Sequence, residues 1–345
     1  MAQVALVKGD DRQGNIRRAL DLIADQIDLK GRRPVIKVNF VSTFAPLCAT
    51  HAQATRAVVE FLRDRGEKDI AIAEGAAWGT TPRGFREYGY LELAREYGLE
   101  LIDLNDADSW KVVHVVHPDM KPQPVKLSPT MVNPDNYIIS LTRLKTHLQV
   151  GVTLTAKNVI MGAILVMDKY RMHPTEAGNR VLDYNLFTVM RHLHIDLAVL
   201  DGFEGMEGRG PVFGEPVDHR VALAGTDFVA VDRVGTEVMG VDFDEIRYLN
   251  YLWDQGIGEG DLSKIQVIGE TIENCRRAYQ MAPRFVRDRR QESKGQLQGL
   301  AVYEGIEGNL DPKSERPSHQ KHVIQRARPG TLQPPDEDDV RRALV

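Results

Sequence analysis

The sequence predicts a mixed α/β fold, with a mostly parallel sheet and flanking helices. Short β-rich runs alternate with longer helical periods through the first half of the chain, the pattern of successive βαβ units. With 345 residues and 42% hydrophobic content, the chain has enough apolar mass for one large core or two moderate ones. Two lobes with a site between them is therefore one form this fold takes.

Val4 to Lys8 opens the fold as a strand, and Asn15 to Ile27 follows as an amphipathic helix. Pro34 to Asn39 is the second strand. Thr50 is placed to cap a helix over Ala54 to Asp64 that stops at Gly66. Ile70 to Glu74 is the third strand, Tyr90 to Tyr97 a helix ending at Gly98, and Leu99 to Leu104 the next strand. Lys111 to Val116 and Tyr137 to Leu141 are further strands. In the second half, the helix Leu182 to His194 leads into the apolar strand Leu197 to Asp201. Then come the strand His219 to Ala224, the helix Phe228 to Met239 behind Asp227, the helix Asp244 to Trp253 and the strand Ile265 to Ile268. The expected organisation is a single α/β domain over 1–270, a helical extension over 271–298 and a polar tail over 299–345. That tail reads as extended or disordered, apart from a short helix at Asp336 to Leu344.

A net charge of -5 argues against a nucleic-acid or acidic-membrane surface, which needs a broad basic stripe. Cys48 and Cys275 are far apart and neither belongs to a Cys-x-x-Cys pair. A disulfide framework, a zinc ribbon and a self-held iron–sulfur cluster are therefore not expected. The first residues run straight into a strand without a leader pattern. No run approaches the roughly 20 apolar residues of a membrane span. The expectation is a cytoplasmic protein with neither membrane nor nucleic-acid partner.

Chemistry concentrates between Arg143 and His173. Arg143, Lys145, His147, Lys157, Lys169, Arg171 and His173 stand there against Asp168 alone. Between them Val150 to Ala156 and Val159 to Met167 are small or apolar, so the cations flank core-forming pieces and converge on something negative. Lys145, Thr153, Asn158 and Arg171 offer the charged and neutral donors of a small-anion site, for a carboxylate or phosphate. No Walker motif accompanies them. His147 and His173 suit proton transfer, since neighbouring cations lower a histidine's pKa and leave it able to accept a proton. Lys157 joins them as a catalytic candidate, and Asp168 and Asp183 are available to orient the base.

An opposite wall is expected from the strand ends. Lys37 interrupts the apolar run Val35 to Asn39; it either reaches past the strand end into a cleft or lies on a sheet edge. Asn39 lies where ligands bind in open α/β sheets. Glu74 and Gly75 end the third strand and place a carboxylate at the rim, or a turn residue there. The segment Asp201 to Pro211, with Glu204 and Glu207 among four glycines, reads as an acidic, flexible loop able to orient the lysines or hold a cation. Glu74, Asp201 and Glu204 are the cofactor-binding candidates. His192, His194 and Asp196, and likewise His114 and His117, carry weak metal spacing, and no metal ligand is assigned.

Ile36-Lys-Val-Asn39, Ala73-Glu-Gly75, Lys145-Thr-His147, Thr153-Leu-Thr-Ala-Lys-Asn158, His173, Asp201-Gly with Met206-Glu-Gly-x-Gly-Pro211, Asp227 and Ala230-Val-Asp232 together resemble the family catalogued as domain of unknown function 362. The resemblance runs from Val4 to Gly269. Many members of that family resemble redox proteins through a fused, cysteine-rich ferredoxin-like segment, which this chain does not carry. The resemblance therefore implies a reductive enzyme fed by a separate electron-donor protein, with the cofactor unknown. A fainter similarity, over Lys145-Thr-His147, Lys157 to Gly162 and His173, is to lactate racemase-like enzymes with a nickel pincer cofactor; it implies an isomerase of a hydroxy acid. A non-enzymatic accessory protein that binds a small anion or metal is the third expectation.

Overall fold

The computed structural model describes residues 1–117, 119–173, 179–283 and 285–286. The chain begins with β1 (Ala2–Lys8), α1 (Arg12–Leu22), β2 (Arg33–Lys37), α2 (Ala52–Asp64) and β3 (Ala71–Glu74). It continues through α3 (Thr81–Glu87), α4 (Tyr90–Tyr97), β4 (Glu100–Asp103), β5 (Lys111–Val116), β6 (Pro122–Leu127) and α5 (Pro129–Val132). The middle holds β7 (Asn136–His147), β8 (Gly151–Thr153), α6 (Thr155–Ala163), α7 (Val166–Lys169) and α8 (Asn179–Met190). The last part is β9 (Leu197–Arg209), β10 (Phe213–Gly225), α9 (Phe228–Val238), α10 (Arg247–Asp254), β11 (Ile265–Gly269) and α11 (Ile272–Cys275).

A nine-stranded, mostly parallel sheet runs in the order β11-β1-β10-β9-β7-β2-β3-β4, with β8 paired to β7. Along that path only β10 runs against its neighbours. The carboxyl ends of β2, β3 and β7 consequently share one edge, the place where open α/β sheets bind ligands. Strand alternation divides the apolar residues into two cores. Val35, Ala73, Ile138 and Leu144 pack under α6, α8, α9 and α10. Ile36, Ile72, Ile139 and Val199 pack under α1, α2 and α4 on the other face. Among the described residues no helix is long and apolar enough to cross a membrane.

Several elements differ from the sequence reading. Helix α1 starts earlier, because the Asp11 carboxylate accepts from Gly14 N at 3.1 Å and caps it. The cap of α2 is His51, whose Nδ1 accepts from Gln53 N at 3.2 Å. Thr50 instead accepts from Asn39 N at 2.9 Å and donates to the Leu141 carbonyl at 3.0 Å. Helix α8 ends at Met190, so His192 and His194 follow it. β5 and β6 form a separate two-stranded sheet.

Two corrections bear on the site. Strand β7 does not stop at Leu141; it continues through Arg143, Lys145 and His147, so these residues belong to the sheet and not to a loop after it. The glycine-rich segment Asp201 to Pro211 is not a flexible loop either. Through Arg209 it is strand, paired antiparallel with β10, for instance Asp201 with Ala222 and Met206 with Pro216. Gly205 lies against the Tyr279 ring and Gly210 against the Thr146 carbonyl, close approaches that exclude a side chain. Of the extension expected over 271–298, Ile272–Cys275 form a short helix. Residues 287–298 and the whole tail 299–345, with its expected helix at Asp336 to Leu344, lie outside the described residues.

Candidate functional site

Four lysines close the carboxyl edge of the sheet from inside. Lys37, Lys145, Lys157 and Lys169 are between 0 and 7% exposed, a rare state for a side chain that is almost never buried without a partner. Three of them have fixed partners. Lys37, on the central strand β2 and at neither an edge nor an open cleft, pairs with Glu74 at 2.5 Å and donates to Asn158 Oδ1 at 2.9 Å. Lys145 donates to Asn39 Oδ1 and, at 2.6 Å, to the Cys48 carbonyl. Lys169 donates to the Gly75 carbonyl. Lys157 makes no hydrogen bond or ion pair to any described residue.

Asn158 is the hub of this network. Its Oδ1 also accepts from Asn39 Nδ2 at 3.1 Å, and its Nδ2 donates to the Lys37 carbonyl at 3.0 Å and Ser140 Oγ at 3.1 Å. It ties α6 to β2 and β7, and thereby sets where Lys157, its chain neighbour, projects. The start of α6 is held from a different helix: the Asp232 carboxylate on α9 accepts from Thr155 N at 2.8 Å, Thr155 Oγ1 at 2.6 Å and Ala156 N at 3.0 Å. These amides are spent on Asp232, so anion binding at that end falls to side chains.

The electrostatics follow from burial. Desolvation lowers Lys157 to about 7, with the Lys145 charge adding to it. It lowers Lys145 and Lys169 to about 8. Burial also pushes Lys37 down, against the pull of Glu74. Burial alone would raise Glu74, but the Lys37 and Lys169 charges hold it below the usual carboxylate range. Phe40 N and Gly75 N both donate to it at 2.7 Å, which makes an ionised Glu74 the firm direction of the pair. Burial pushes Asp232 up to about 7 and keeps the Cys48 thiol protonated.

His147 and His173 meet at this edge with ring centroids 6.5 Å apart. Nδ1 of His147 faces the backbone N–H of Gln149 at 3.1 Å and of Val150 at 3.4 Å, so it accepts and the proton of the neutral ring sits on Nε2. Nδ1 of His173 faces the Lys169 carbonyl at 3.0 Å, so it donates and leaves Nε2 with the lone pair. Burial, then the Lys157 charge, lowers His173 to about 4. One ring thus presents a donor and the other an acceptor. Thr153, in register with Lys145, has a buried hydroxyl with no hydrogen-bond partner among the described residues.

The remaining candidates lie elsewhere. Arg171 pairs with Asp168 at 2.9 Å and donates to the Pro124 carbonyl at 2.7 Å, so it braces β6. Asp168 also accepts from Lys126 N at 2.9 Å, and Asp183 is the acid whose charge reaches Lys157. Asp201 approaches Arg12 at 3.3 Å, a charge contact without hydrogen-bond geometry. Glu204 accepts from Arg143 at 2.7 Å. Asp201, Glu204, Arg12, Arg143 and His51 therefore form a second cluster instead of the expected opposite wall. The wall that does assemble is Lys37, Asn39 and Glu74. The sequence reading counted Lys169 among the converging cations but gave it no role, and it passed over Ser140 and Asp232 as site residues. A surface hollow of about 390 Å³ is lined by Ile27, Asp28, Lys30, Arg65 and Glu67. It lies at the amino end of β2, away from these groups, and carries none of the chemistry. Among the described residues, no three His, Cys, Asp or Glu side chains are arranged to hold a metal ion.

A curated relative, the "Thylakoid-associated protein" of Synechocystis sp., is 27% identical over 225 residues, covering 61% of this chain and 64% of that protein. The chain thus spans just under two thirds of that relative's length. A crystal structure of a protein from Thermotoga maritima is similar with a TM-score of 0.43 at 10% identity, over 73% of this chain and 59% of that one. The sequence model described as "Domain of unknown function (DUF362)" matches residues 35–237, and the chain belongs to that family.

Proposed function

We propose that the protein is an enzyme that binds a small carboxylate or phosphate substrate among Lys145, Lys157 and Lys169 and moves a proton on it with His147 and His173. The observation that carries this reading is the opposite hydrogen-bond polarity of the two rings. An Nε2–H donor on His147 and an Nε2 lone pair on His173, 6.5 Å apart between centroids, give one ring suited to hydrogen-bond a developing oxyanion and one suited to take a proton. The lysines supply attraction for an anion in a place shielded from water, where each charge acts more strongly than on a surface. The unpartnered Thr153 hydroxyl adds a neutral donor or acceptor.

The test is hydrogen exchange at carbon. Small 2-hydroxy and 2-oxo acids are incubated with the protein in D₂O and followed by proton NMR. Loss of a C–H signal that disappears in both His147→Gln and His173→Gln supports the reading. Turnover that requires an added electron donor and shows no exchange would replace it with reductive chemistry. Tight phosphate binding without any turnover would reduce the protein to an anion-binding accessory.

A further inference from the structure

Among the buried lysines, only Lys157 lacks a described partner. Lys37 has Glu74 and Asn158, Lys145 has Asn39 and Cys48, and Lys169 has Gly75. Lys157 is 5% exposed, feels like charge from Lys145 and Lys169, and has a single acid, Asp183, among the charges acting on it. An ammonium group there is largely withdrawn from water and has no fixed acceptor among the described residues, the setting that favours a free amine with its lone pair available. Lys145 and Lys169 hold two partners and one respectively out of three N–H donors each, so both retain a donor for a carboxylate beside that amine.

We propose that Lys157 is a nucleophile that forms an imine with a small 2-oxo acid, the carboxylate of which is held by Lys145 and Lys169. This deepens the proposed function and rests on its anion site. The Nζ lone pair attacks the carbonyl carbon, a C–N bond forms, and the C=O bond opens to a carbinolamine. The carbinolamine then loses its oxygen as water; both Nζ protons end in that water, relayed by His147 Nε2 and His173 Nε2, and nothing is oxidised or reduced. Protonation of the imine makes it an electron sink that acidifies the adjacent C–H, and His173 is the base placed to take that proton.

Reductive trapping tests this. The full chain is incubated with pyruvate or glyoxylate and cyanoborohydride at pH 7.5, then digested and mapped by mass spectrometry. A single adduct on Lys157, heavier by the mass of the acid less one oxygen, is expected, and phosphate should slow its formation. An amine near pKa 7 has roughly 600-fold more free base at this pH than an ordinary lysine, so Lys157 should label at least about a hundredfold faster than surface sites even after allowing for the lower nucleophilicity of a weaker base. Lys157→Arg should abolish the adduct, and a phosphate-induced thermal shift, altered in size but still present through Lys145 and Lys169, should show that the variant is folded and its anion site formed. Labelling spread over surface lysines, or confined to Lys145 or Lys169, overturns the proposal. No adduct while phosphate still stabilises the protein overturns the imine and leaves the anion site standing. Neither adduct nor any stabilisation by phosphate, pyruvate or glyoxylate overturns both.

Discussion

Lys37 and Glu74 meet across the neighbouring parallel strands β2 and β3 with 2.5 Å between Nζ and Oε2, and neither side chain is more than 3% exposed. Removing one member of a buried pair strands the other charge, at a cost of about 3–5 kcal/mol. Glu74 also neutralises Lys169 and accepts two backbone amides. Glu74→Gln should therefore lower the melting temperature severely. Lys37→Met combined with Glu74→Gln should recover a large part of the loss in thermal melts; equal instability of single and double variants would show that the amide acceptors, and not the charge pair, dominate.

The pair also shows what the sequence makes legible. Lys37 and Glu74 interrupt strands that are otherwise apolar, and a charge inside an all-buried strand needs a partner. The convergence of Lys145, Lys157, His147 and His173 follows from the same logic, because their flanking segments are core-forming. Asp201, Glu204 and Arg171 were harder. Which partner an acid takes depends on the face it occupies, and β9 carries extra residues between Asp201 and Met206 opposite Arg143 and Lys145 without any local sequence mark; Arg171 lies outside the sheet, in the turn after α7. The extent of β7 and β9 was hidden too: cations and glycines are depleted from ordinary strands, yet here Arg143, Lys145 and His147 continue the alternation with Leu144 and Thr146.

Val41 follows β2 with φ of 56°, a left-handed conformation that a β-branched residue rarely adopts. The twist aims its carbonyl at Ala77 N, 3.0 Å away, and Trp78 N, 2.8 Å away. Asparagine tolerates this region better. Val41→Asn should raise stability by about 1 kcal/mol, read as an increased denaturant midpoint with an unchanged slope. A decrease would mean that Val41's contact with Cys48, Met206 and Val212 outweighs the backbone strain.

Asp232 holds the first turn of α6 with three accepted hydrogen bonds, and α6 carries Lys157 and Asn158. Asp232→Ala leaves Thr155 N, Thr155 Oγ1 and Ala156 N buried without acceptors, each at a cost of about 1–3 kcal/mol. The expected outcome is a loss of several kcal/mol in total and faster amide exchange at Thr155 and Ala156 than in the rest of the helix. Uniform exchange along α6 would show that packing, and not the cap, fixes that turn.

The buried lysines make stability depend on pH with a definite sign. Lys157 is lowered to about 7, and Lys145 and Lys169 to about 8, from an ordinary 10.5. Between those folded values and 10.5 the unfolded chain binds more protons than the folded one, so these groups make folding more favourable as pH rises through that window. Below about pH 7 both states are protonated and the burial penalty is present in full. An anion bound among them offsets that penalty only while the lysines are charged. Phosphate should therefore raise the melting temperature more at pH 6.5 than at pH 9, and Lys157→Met should flatten the rise in stability between pH 7 and pH 10. A phosphate effect independent of pH, with the Lys157→Met profile parallel to the parent's, would show that phosphate binds on the outer surface and that Lys157 does not titrate in this window.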